Sequence, residues 1–423
     1  MIEFATIVSY VTHVIIFVGL YLSILWVLIT FNSKNTEKIL KLGKYPGVTI
    51  VAPAYNEENG IEATIESCLK TKYKGRLDII VISDGSSDKT VEKAKKYKDK
   101  IRILDLKKNR GKAGALNVGL KYIKTEYFAV IDADTKVVPD TVENAIYCFE
   151  VNKRRGVGAV VCRMKPYNDM INYLERIQLL EYMIVGLVRF LSSQNQLLDM
   201  TNGGTFYKTS VVKEVGGFDE NNVTEDFEMG VKIRRSGYRV AYSREAHVFT
   251  KTPSNLKMHL KQRIRWARGF IQTHSKHRDI FFNKKFGIYG FYQFPFNVIG
   301  PFLYFLAVMA ISFKIYQKLY EFIYKLIYTP DLIEWFSFGT FRDYMLGLNP
   351  KTDLIIVASF LFLMFFYFGV NVFYRDNYFR GKSFKKLVSF IIYIMIYNYI
   401  YIYVWPKSIY MEFKRKGYDW GTK

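Results

Sequence analysis

The sequence predicts an α/β domain with a parallel sheet, joined to helices that lie in or on a membrane. Three observations lead to this fold class. Short, β-branched apolar runs alternate with helical patterns between residues 32 and 285, as in a sheet covered by helices. Half of the 423 residues are hydrophobic and 17% are aromatic, which is high for a soluble chain of this length. Long apolar runs flank the α/β region.

The apolar runs are long enough to cross a bilayer, which takes roughly 20 residues. They cover residues 4–31, 286–313, 354–374 and 387–405. The first lacks the small-residue cleavage site of a signal peptide, so we expect a retained span. The second is interrupted by Pro295 and Pro301, so we expect part of it to lie in the interface.

The predicted organisation has four parts. An N-terminal transmembrane helix covers 1–31, a cytosolic α/β domain with amphipathic or interfacial helices covers 32–285, a transmembrane region covers 286–406, and a basic tail covers 407–423. The predicted location is the plasma membrane, crossed several times.

The net charge of +23 fits nucleic-acid binding or the Lys- and Arg-rich cytoplasmic flanks of membrane spans. No nucleic-acid motif accompanies the charge. We therefore predict membrane lipids, and no nucleic acid, as partners. Cys68, Cys148 and Cys162 are widely spaced, which argues against a disulfide framework or a zinc site.

Within the α/β domain, the predicted strands cover residues 48–52, 79–83, 101–104, 127–131 and 157–161. The predicted helices cover 60–71, 88–97, 112–123 and 139–152, and an amphipathic helix covers 171–191. We expect a parallel sheet with helices on both faces. In such sheets, ligands bind beyond the carboxyl ends of the strands.

Polar motifs follow three of the strands. They are the stretch from Pro53 to Glu57, which contains Tyr55, the turn that begins at Asp84, and Asp132-Ala133-Asp134. Carboxylates such as Asp132 and Asp134 suit Mn²⁺ or Mg²⁺ beside a diphosphate. An ordinary Asp turn explains either acidic motif alone.

Lys112 opens a predicted helix after a glycine turn, which suits a phosphate, although a solvated lysine is the commoner case. Asp226, in Thr224-Glu225-Asp226, is a candidate general base or simply part of a helix cap.

The segment Gln262-Arg263-Ile264-Arg265-Trp266 places an amide, a guanidinium and an indole within about one helical turn. Arg265 can bind a diphosphate and Trp266 can stack on a sugar. A basic helix close to the membrane is the alternative explanation.

Together and in this order, the motifs resemble the processive, membrane-integrated members of glycosyltransferase family 2, which include hyaluronan, poly-N-acetylglucosamine, chitin-oligosaccharide and cellulose synthases. The resemblance implies a GT-A-like, Rossmann-like catalytic domain and a polymer channel built from the chain's own spans. The stretch from Asn109 to Asn117 resembles the bacterial poly-N-acetylglucosamine synthases.

The resemblance also implies residue roles. The donor nucleotide would contact Pro53, Tyr55, Glu57, Asp84, Lys112, Asp132, Arg265 and Trp420, the metal Asp134 and Asp132, and the acceptor Gly203, Gly204, Gln262 and Trp266. Asp226 would be the base of an inverting transfer.

The expected function is therefore polymerisation of a UDP-sugar, with UDP-N-acetylglucosamine as the expected donor, onto a growing glycan that leaves through the chain's own channel. The closest alternative is a single transfer to a membrane lipid. A non-catalytic scaffold or transporter explains the apolar runs but not the acidic motifs. An accessory subunit is possible but not indicated.

The C-terminal tail, Asp419-Trp420-Gly421-Thr422-Lys423, resembles the Trp-Gly-Thr-Arg end of hyaluronan synthases, with Lys in place of Arg. Basic residues flank the run 387–405 on both sides, and such flanks belong in the cytoplasm. We therefore predict that this run is re-entrant or interfacial and returns Trp420 to the cytosolic side.

Overall fold

The computed structural model describes residues 42–168, 172–300 and 384–414, with Phe17, Tyr316, Tyr320, Ile323, Tyr324, Ile327 and Tyr328. The chain divides into two compact units, Met1–Lys34 with Phe296–Arg380, and Asn35–Pro295 with Gly381–Lys423. The second unit holds all the elements below. The predicted spans at 4–31, apart from Phe17, and at 354–374 lie outside the described residues, as do residues 301–313 of the predicted span at 286–313.

The second unit contains an eight-stranded sheet in the order β3-β2-β1-β4-β7-β6-β8-β5. The strands are β1 Val48–Ala54, β2 Leu77–Asp84, β3 Arg102–Leu106, β4 Tyr127–Ile131, β5 Thr135–Val137, β6 Val157–Pro166, β7 Gly204–Lys208 and β8 Arg239–Thr250.

The α-helices of this unit are α1 Ile61–Leu69, α2 Thr90–Lys95, α3 Gly111–Leu120, α4 Thr141–Val151, α5 Tyr173–Gln194, α6 Thr209–Glu214, α7 Glu225–Arg235, α8 Leu256–Lys276, α9 Phe384–Met395 and α10 Ile400–Phe413. Short 3₁₀ turns occur at Lys153–Arg155, Arg278–Ile280, Lys284–Phe286 and Tyr397–Tyr399, and a π-helical turn occurs at Tyr289–Gln293.

The expectation of a parallel sheet is wrong for half of the structure. Strands β3, β2, β1 and β4 are parallel. Strand β7 runs antiparallel to both β4 and β6, and β5 runs antiparallel to β8. The sheet is therefore mixed, because the reversed strand β7 is inserted between two predicted strands.

Two apolar layers cover the sheet, as the alternation of side chains along a strand requires. On β1, Ile50, Ala52 and Ala54 share one face and pack with α1 and α4, whereas Val51 packs with α3 and α7 on the opposite face. All seven residues of β1 are buried, as expected for a central strand. The predicted α/β, Rossmann-like domain is confirmed.

Candidate active site

The site lies at one edge of the sheet, where the carboxyl ends of β1, β2 and β4 meet. Because β1 pairs in parallel with both β2 and β4, the residues after these strands lie side by side. Strand β7 is antiparallel to β4 and pairs Gly204 with Ile131. The start of β7 therefore brings Gly203 and Gly204 to the same edge.

Asp84, at the end of β2, is fully buried. Its Oδ1 accepts a hydrogen bond of 2.8 Å from the backbone N–H of Arg110, one residue before α3 begins. Burial raises the pKa of Asp84, and the backbone N–H groups of Arg110 and Gly111 oppose that rise. Asp84 thus fixes the turn that presents Lys112; contact with a nucleotide remains a prediction.

The loop after β1 is held against the loop after β2. The backbone N–H of Glu57 donates to Thr90 Oγ1 at 2.8 Å, and Asn56 Oδ1 accepts from the backbone N–H of Ser87 at 2.9 Å. Pro53 is buried on β1, while Tyr55 and Glu57 are half-buried. This fixed loop keeps Tyr55 and Glu57 at the edge of the crevice.

Lys112 joins two parts of the site that are distant in sequence. Its Nζ lies 2.7 Å from Asp132 Oδ1 and 2.7 Å from Glu225 Oε1. Burial lowers the pKa of Lys112, but these carboxylates outweigh it and hold the pKa well above its usual value. The ammonium group is therefore charged and links the end of β4 to the start of α7.

Asp226, in the first turn of α7, belongs to the same cluster. Burial, and then the neighbouring Glu225, raise the pKa of Asp226 to about 6, although Lys112 and Arg265 act against the shift. Its Oδ1 accepts a hydrogen bond from the backbone N–H of Phe227. A carboxylate with this pKa is largely ionised at neutral pH and can accept a proton.

Gly203 allows Asp132 to occupy the site. A Cβ at residue 203 would lie 1.9 Å from Asp132 Oδ2, so no larger residue fits without moving the carboxylate. Gly204 is equally confined, because its Cβ would lie 2.5 Å from Val248 Cγ2. Asn202 Oδ1 accepts from the backbone N–H of Gly204 at 3.0 Å and fixes the turn.

The donor set fits a divalent cation. Asp132 and Asp134 supply the hard carboxylate oxygens that Mg²⁺ and Mn²⁺ prefer. Among the described residues, no group of three or more His, Cys, Asp or Glu side chains is arranged to hold a metal. A pair of carboxylates suffices when substrate phosphates complete the coordination, as is usual for Mg²⁺.

Helix α8 brings the predicted acceptor residues beside this cluster. Gly269 permits the approach, since its Cβ would lie 1.8 Å from Thr224 Oγ1, directly before Glu225 and Asp226. Arg265 interacts electrostatically with Asp226. Trp266 keeps 38% of its surface exposed, and Gln262 Oε1 is buried with no hydrogen-bond partner in the described part of the chain.

Arg263 packs against the ring of Trp266. Its guanidinium lies 4.2 Å from the centroid of the Trp266 ring, and its NH2 pairs with Glu181 Oε2 at 2.5 Å. Tyr397 donates a hydrogen bond of 2.8 Å to the same Glu181 oxygen, and its hydroxyl lies 2.9 Å from His259 Nε2. A buried polar network therefore joins α5, α8 and the turn between α9 and α10.

A second contact ties the C-terminal segment to α8. Arg268 Nε pairs with Glu412 Oε1, and Gln272 Nε2 donates to Glu412 Oε2 at 3.0 Å. Phe384–Phe413 is the one stretch of the described residues that is long and apolar enough to cross a membrane by length and composition, and alone this is weak evidence of a span. Trp420 lies outside the described residues.

Sequence reasoning missed three charged groups at the site. The sequence of Thr224-Glu225-Asp226 indicates no role for Glu225 beyond a helix cap, yet Glu225 pairs with Lys112. Arg263 was only a spacer in its motif. Arg189 interacts electrostatically with Asp226 from an amphipathic helix whose apolar positions alone were considered. Charge is the sequence signal that could have indicated Arg189, because Glu181 and Arg189 interrupt an otherwise apolar stretch of α5.

Three comparisons with known proteins agree with this geometry. Residues 49–216 match the family described as glycosyl transferase family 2. The poly-β-1,6-N-acetyl-D-glucosamine synthase of Staphylococcus aureus (strain MSSA476) is 33% identical over 268 residues, 60% of this chain and 64% of the relative. That of Staphylococcus epidermidis is 30% identical over 273 residues, 62% of this chain and 65% of the relative. The alignments thus span less than two thirds of these relatives.

Among solved structures, the mannosyltransferase PcManGT from Pyrobaculum calidifontis, in complex with GDP-Man and Mn²⁺, superposes with a TM-score of 0.58 at 18% identity. The match covers 85% of this chain and 95% of that one. At this identity the likeness establishes the fold alone, and it agrees with a GT-A-like domain. Residues 49–216 of this chain are therefore similar to the glycosyltransferase family 2 domain.

Proposed function

We propose that the protein is an inverting glycosyltransferase that transfers sugar from a UDP-sugar to a growing glycan. The observation that carries the proposal is the cluster of Lys112, Asp132, Glu225 and Asp226, with Arg265 and the exposed ring of Trp266 beside it. This cluster combines a candidate base, cations for a diphosphate and a flat surface for a sugar. The glycosyltransferase family 2 match supports the same chemistry.

In the proposed reaction, the carboxylate of Asp226 accepts the proton of the acceptor hydroxyl. The acceptor oxygen forms its bond to the anomeric carbon while the bond from that carbon to the phosphate oxygen breaks, and UDP leaves with the electron pair. A single base acting in line inverts the configuration, so an α-linked donor gives a β-linked product. The pKa of about 6 for Asp226 suits this role at neutral pH.

The donor would lie along the strand ends. Tyr55, Glu57 and Asp84 are proposed to hold the uridine, and Lys112 and Arg265 the diphosphate. Lys112 can do so by exchanging a carboxylate partner for a phosphate, because its ammonium group already lies between two anions. The tail residue Trp420 is proposed to approach the nucleotide from the C-terminal side.

A divalent ion, Mn²⁺ or Mg²⁺, is proposed at Asp132 and Asp134, where it would neutralise charge on the diphosphate as UDP leaves. In the cluster, the carboxylates of Asp132, Glu225 and Asp226 are matched by three cations, Lys112, Arg265 and Arg189. Adding Asp134 leaves one carboxylate in excess. A divalent ion offsets this negative charge, which supports its presence.

The acceptor would end at Trp266. Arg263 covers part of the indole, and the exposed remainder is available for a sugar ring. The buried Gln262 Oε1 without a hydrogen-bond partner in the described residues offers an acceptor for a sugar hydroxyl. Gly203 and Gly204 are proposed to line the acceptor end beside Asp132, where a larger residue at position 203 would displace that carboxylate.

We further propose that the product is a polymer, built processively and moved through a channel formed by the chain's own membrane spans. The relatives' name supports N-acetylglucosamine as the sugar. The apolar composition, and the apolar stretch Phe384–Phe413, support a plasma-membrane location with the catalytic domain in the cytosol. A re-entrant or interfacial 387–405 remains our hypothesis for the return of Trp420.

The test is to incubate the purified full-length protein with individual UDP-sugars and Mn²⁺, follow UDP release and size the product. We expect UDP-N-acetylglucosamine to give the fastest release and a high-molecular-weight glycan or a ladder. A single glycolipid product would contradict processive polymerisation, while leaving the transfer chemistry intact. Absence of UDP release with every donor would contradict the proposed function itself.

A further inference from the structure

A basic cavity lies at the far end of the helix that carries Asp226. It has a volume of about 490 Å³, and Arg234, Arg235, Arg239 and Lys285 line it together with Tyr289. No carboxylate lines it in the described part of the chain. This volume is within the usual range of ligand sites, roughly 300–1,000 Å³.

The positive charge of the cavity is only partly compensated. Arg235 pairs with Asp279 at 2.8 Å. No ion pair of Arg239 or Lys285 occurs among the residues that the structure describes. An anion in the cavity therefore faces at least two cations that have no carboxylate partner there.

Arg234 has a fixed position, but not all of its N–H groups have hydrogen-bond partners in the described part of the chain. Its guanidinium lies 4.8 Å from the centroid of the Tyr289 ring, and Tyr289 in turn donates to Asp199 Oδ2 at 3.2 Å. Asp199 attracts Arg234 from beyond that ring. Arg234 Nε is nevertheless buried without a hydrogen-bond partner in the described chain. Because that Nε is buried, Arg234 contributes positive charge to the wall, whereas Arg235, Arg239 and Lys285 supply the donors for the oxygens of a phosphate.

The end of α7 does not repel an anion as strongly as an open helix end would. The backbone N–H groups of Ser236, Gly237 and Tyr238 donate to the carbonyls of Lys232, Arg234 and Ile233 at 3.0, 3.1 and 3.2 Å. Gly237 has φ +85°, which allows this closed end. The partial negative charge of the helix end is thus screened by these bonds and by the cations around it.

Exposed apolar side chains stand beside the cavity. Ile288, which lines it, is 66% exposed, and Phe282 is 60% exposed. The exposed Lys284 and Lys285 lie between them in the chain, and the predicted apolar run 286–313 begins here. Cations next to exposed aliphatic and aromatic side chains are typical of a surface that lies on anionic lipid.

We propose that this cavity binds the phosphate of an anionic lipid headgroup, with Ile288 and Phe282 in contact with the acyl region. The bound lipid holds the end of α7 at headgroup level. Because Asp226 occupies the first turn of the same helix, the site also fixes the depth of the catalytic cluster below the membrane surface. The proposal does not require that the sugar donor or product be identified correctly.

The test measures lipid binding by the detergent-solubilised full-length protein in native mass spectrometry. The probes are phosphatidylglycerol, phosphatidylcholine and inorganic phosphate. The cavity variant combines Arg239→Gln with Lys285→Gln. The control variant combines Lys121→Gln with Lys124→Gln, two exposed lysines outside the cavity whose loss changes the net charge equally. Thermal unfolding of both variants checks that they remain folded.

We expect saturable binding of phosphatidylglycerol in preference to phosphatidylcholine, weakened at least about tenfold in the cavity variant because charged phosphate contacts are lost, and unchanged in the control. Equal weakening in both variants would overturn the proposal, since bulk charge would then explain binding. Equal binding of the two lipids would also overturn it. If inorganic phosphate binds only when the cavity is intact and neither lipid is preferred, the cavity is a site for free phosphate and the proposed lipid ligand is wrong.

Discussion

Substitution of Gly203 by Ala tests whether the glycine before β7 exists to make room for Asp132. The new Cβ would lie 1.9 Å from Asp132 Oδ2 and 2.5 Å from its Cγ. Real Cβ atoms essentially never approach a neighbour within 3.0 Å, so the carboxylate oxygen must move by at least 3.0 − 1.9 = 1.1 Å. Gly203 is not among the glycines with positive φ, so the effect is steric.

A displacement of this size separates Asp132 from Lys112, which it now contacts at 2.7 Å, and from any ion shared with Asp134. Misplacement by about 1 Å at a reacting centre costs about 100-fold in rate. Overpacking costs about 1–3 kcal/mol of stability. We therefore expect Gly203→Ala to remain folded at 25 °C, bind Mn²⁺ more weakly and release UDP about 100-fold more slowly.

The assay combines Mn²⁺-dependent UDP release with thermal unfolding. Gly43→Ala is the matched control, because no heavy atom lies within 4 Å of its added Cβ; we expect it to behave like the parent. If Gly203→Ala keeps the turnover and Mn²⁺ dependence of the parent, Gly203 is not needed to make room for Asp132. A variant that unfolds would instead be replaced by Asp132→Asn, which removes the carboxylate charge without adding volume.

Three further predictions concern Asp226, Trp266 and Arg263. Only ionised Asp226 can accept a proton, and burial raises its pKa to about 6. We therefore expect kcat/KM to fall about tenfold per pH unit below pH 6 and to level off above pH 6; a pH-independent profile from pH 5 to 8 would contradict this. Trp266→Ala should raise the KM for the acceptor about fivefold through lost stacking, and the KM for the donor less, with Trp266→Phe intermediate; equal changes in both would contradict acceptor stacking. Arg263→Gln should lower the free energy of unfolding by about 3–5 kcal/mol because it leaves Glu181 buried without its cation. Adding Glu181→Gln should recover part of the loss; if the two substitutions lower the free energy of unfolding additively in chemical denaturation, the ion pair does not stabilise the fold.

Much of the parallel half of the fold could be predicted from the sequence. The predicted strand 127–131 coincides with β4 Tyr127–Ile131, and the predicted strand 79–83 lies within β2 Leu77–Asp84. These strands are continuous apolar runs bounded by polar residues, which is the pattern of fully buried strands. Local sequence is sufficient there, because burial on both faces leaves little ambiguity.

Strands β7 and β8 of the mixed half were not predicted, because they lack that pattern. Strand β7, Gly204–Lys208, is short and begins at the second glycine of a Gly-Gly pair that favours a turn. Strand β8, Arg239–Thr250, contains Arg244, Glu245 and His247 and pairs with β6 through register shifts. Its charged positions break the alternation of a strand. Tertiary pairing, and not local preference, decides these elements.

At the site, residue types could be predicted but partners could not. The sequence indicated Lys112, Asp132 and Asp226 as candidates, yet not that Lys112 lies between Asp132 and Glu225. That contact joins positions more than 90 residues apart in the chain and depends on the close approach that Gly269 allows between α8 and Thr224. Long-range packing of this kind leaves no periodic signal in one sequence.

The role of Asp226 as the base of transfer from a UDP-sugar can be tested directly. UDP release from UDP-N-acetylglucosamine is compared between the parent and Asp226→Asn, with UDP affinity measured in parallel. We predict that release falls by about 100- to 10,000-fold while UDP affinity is largely retained. Near-normal release by folded Asp226→Asn would contradict the account.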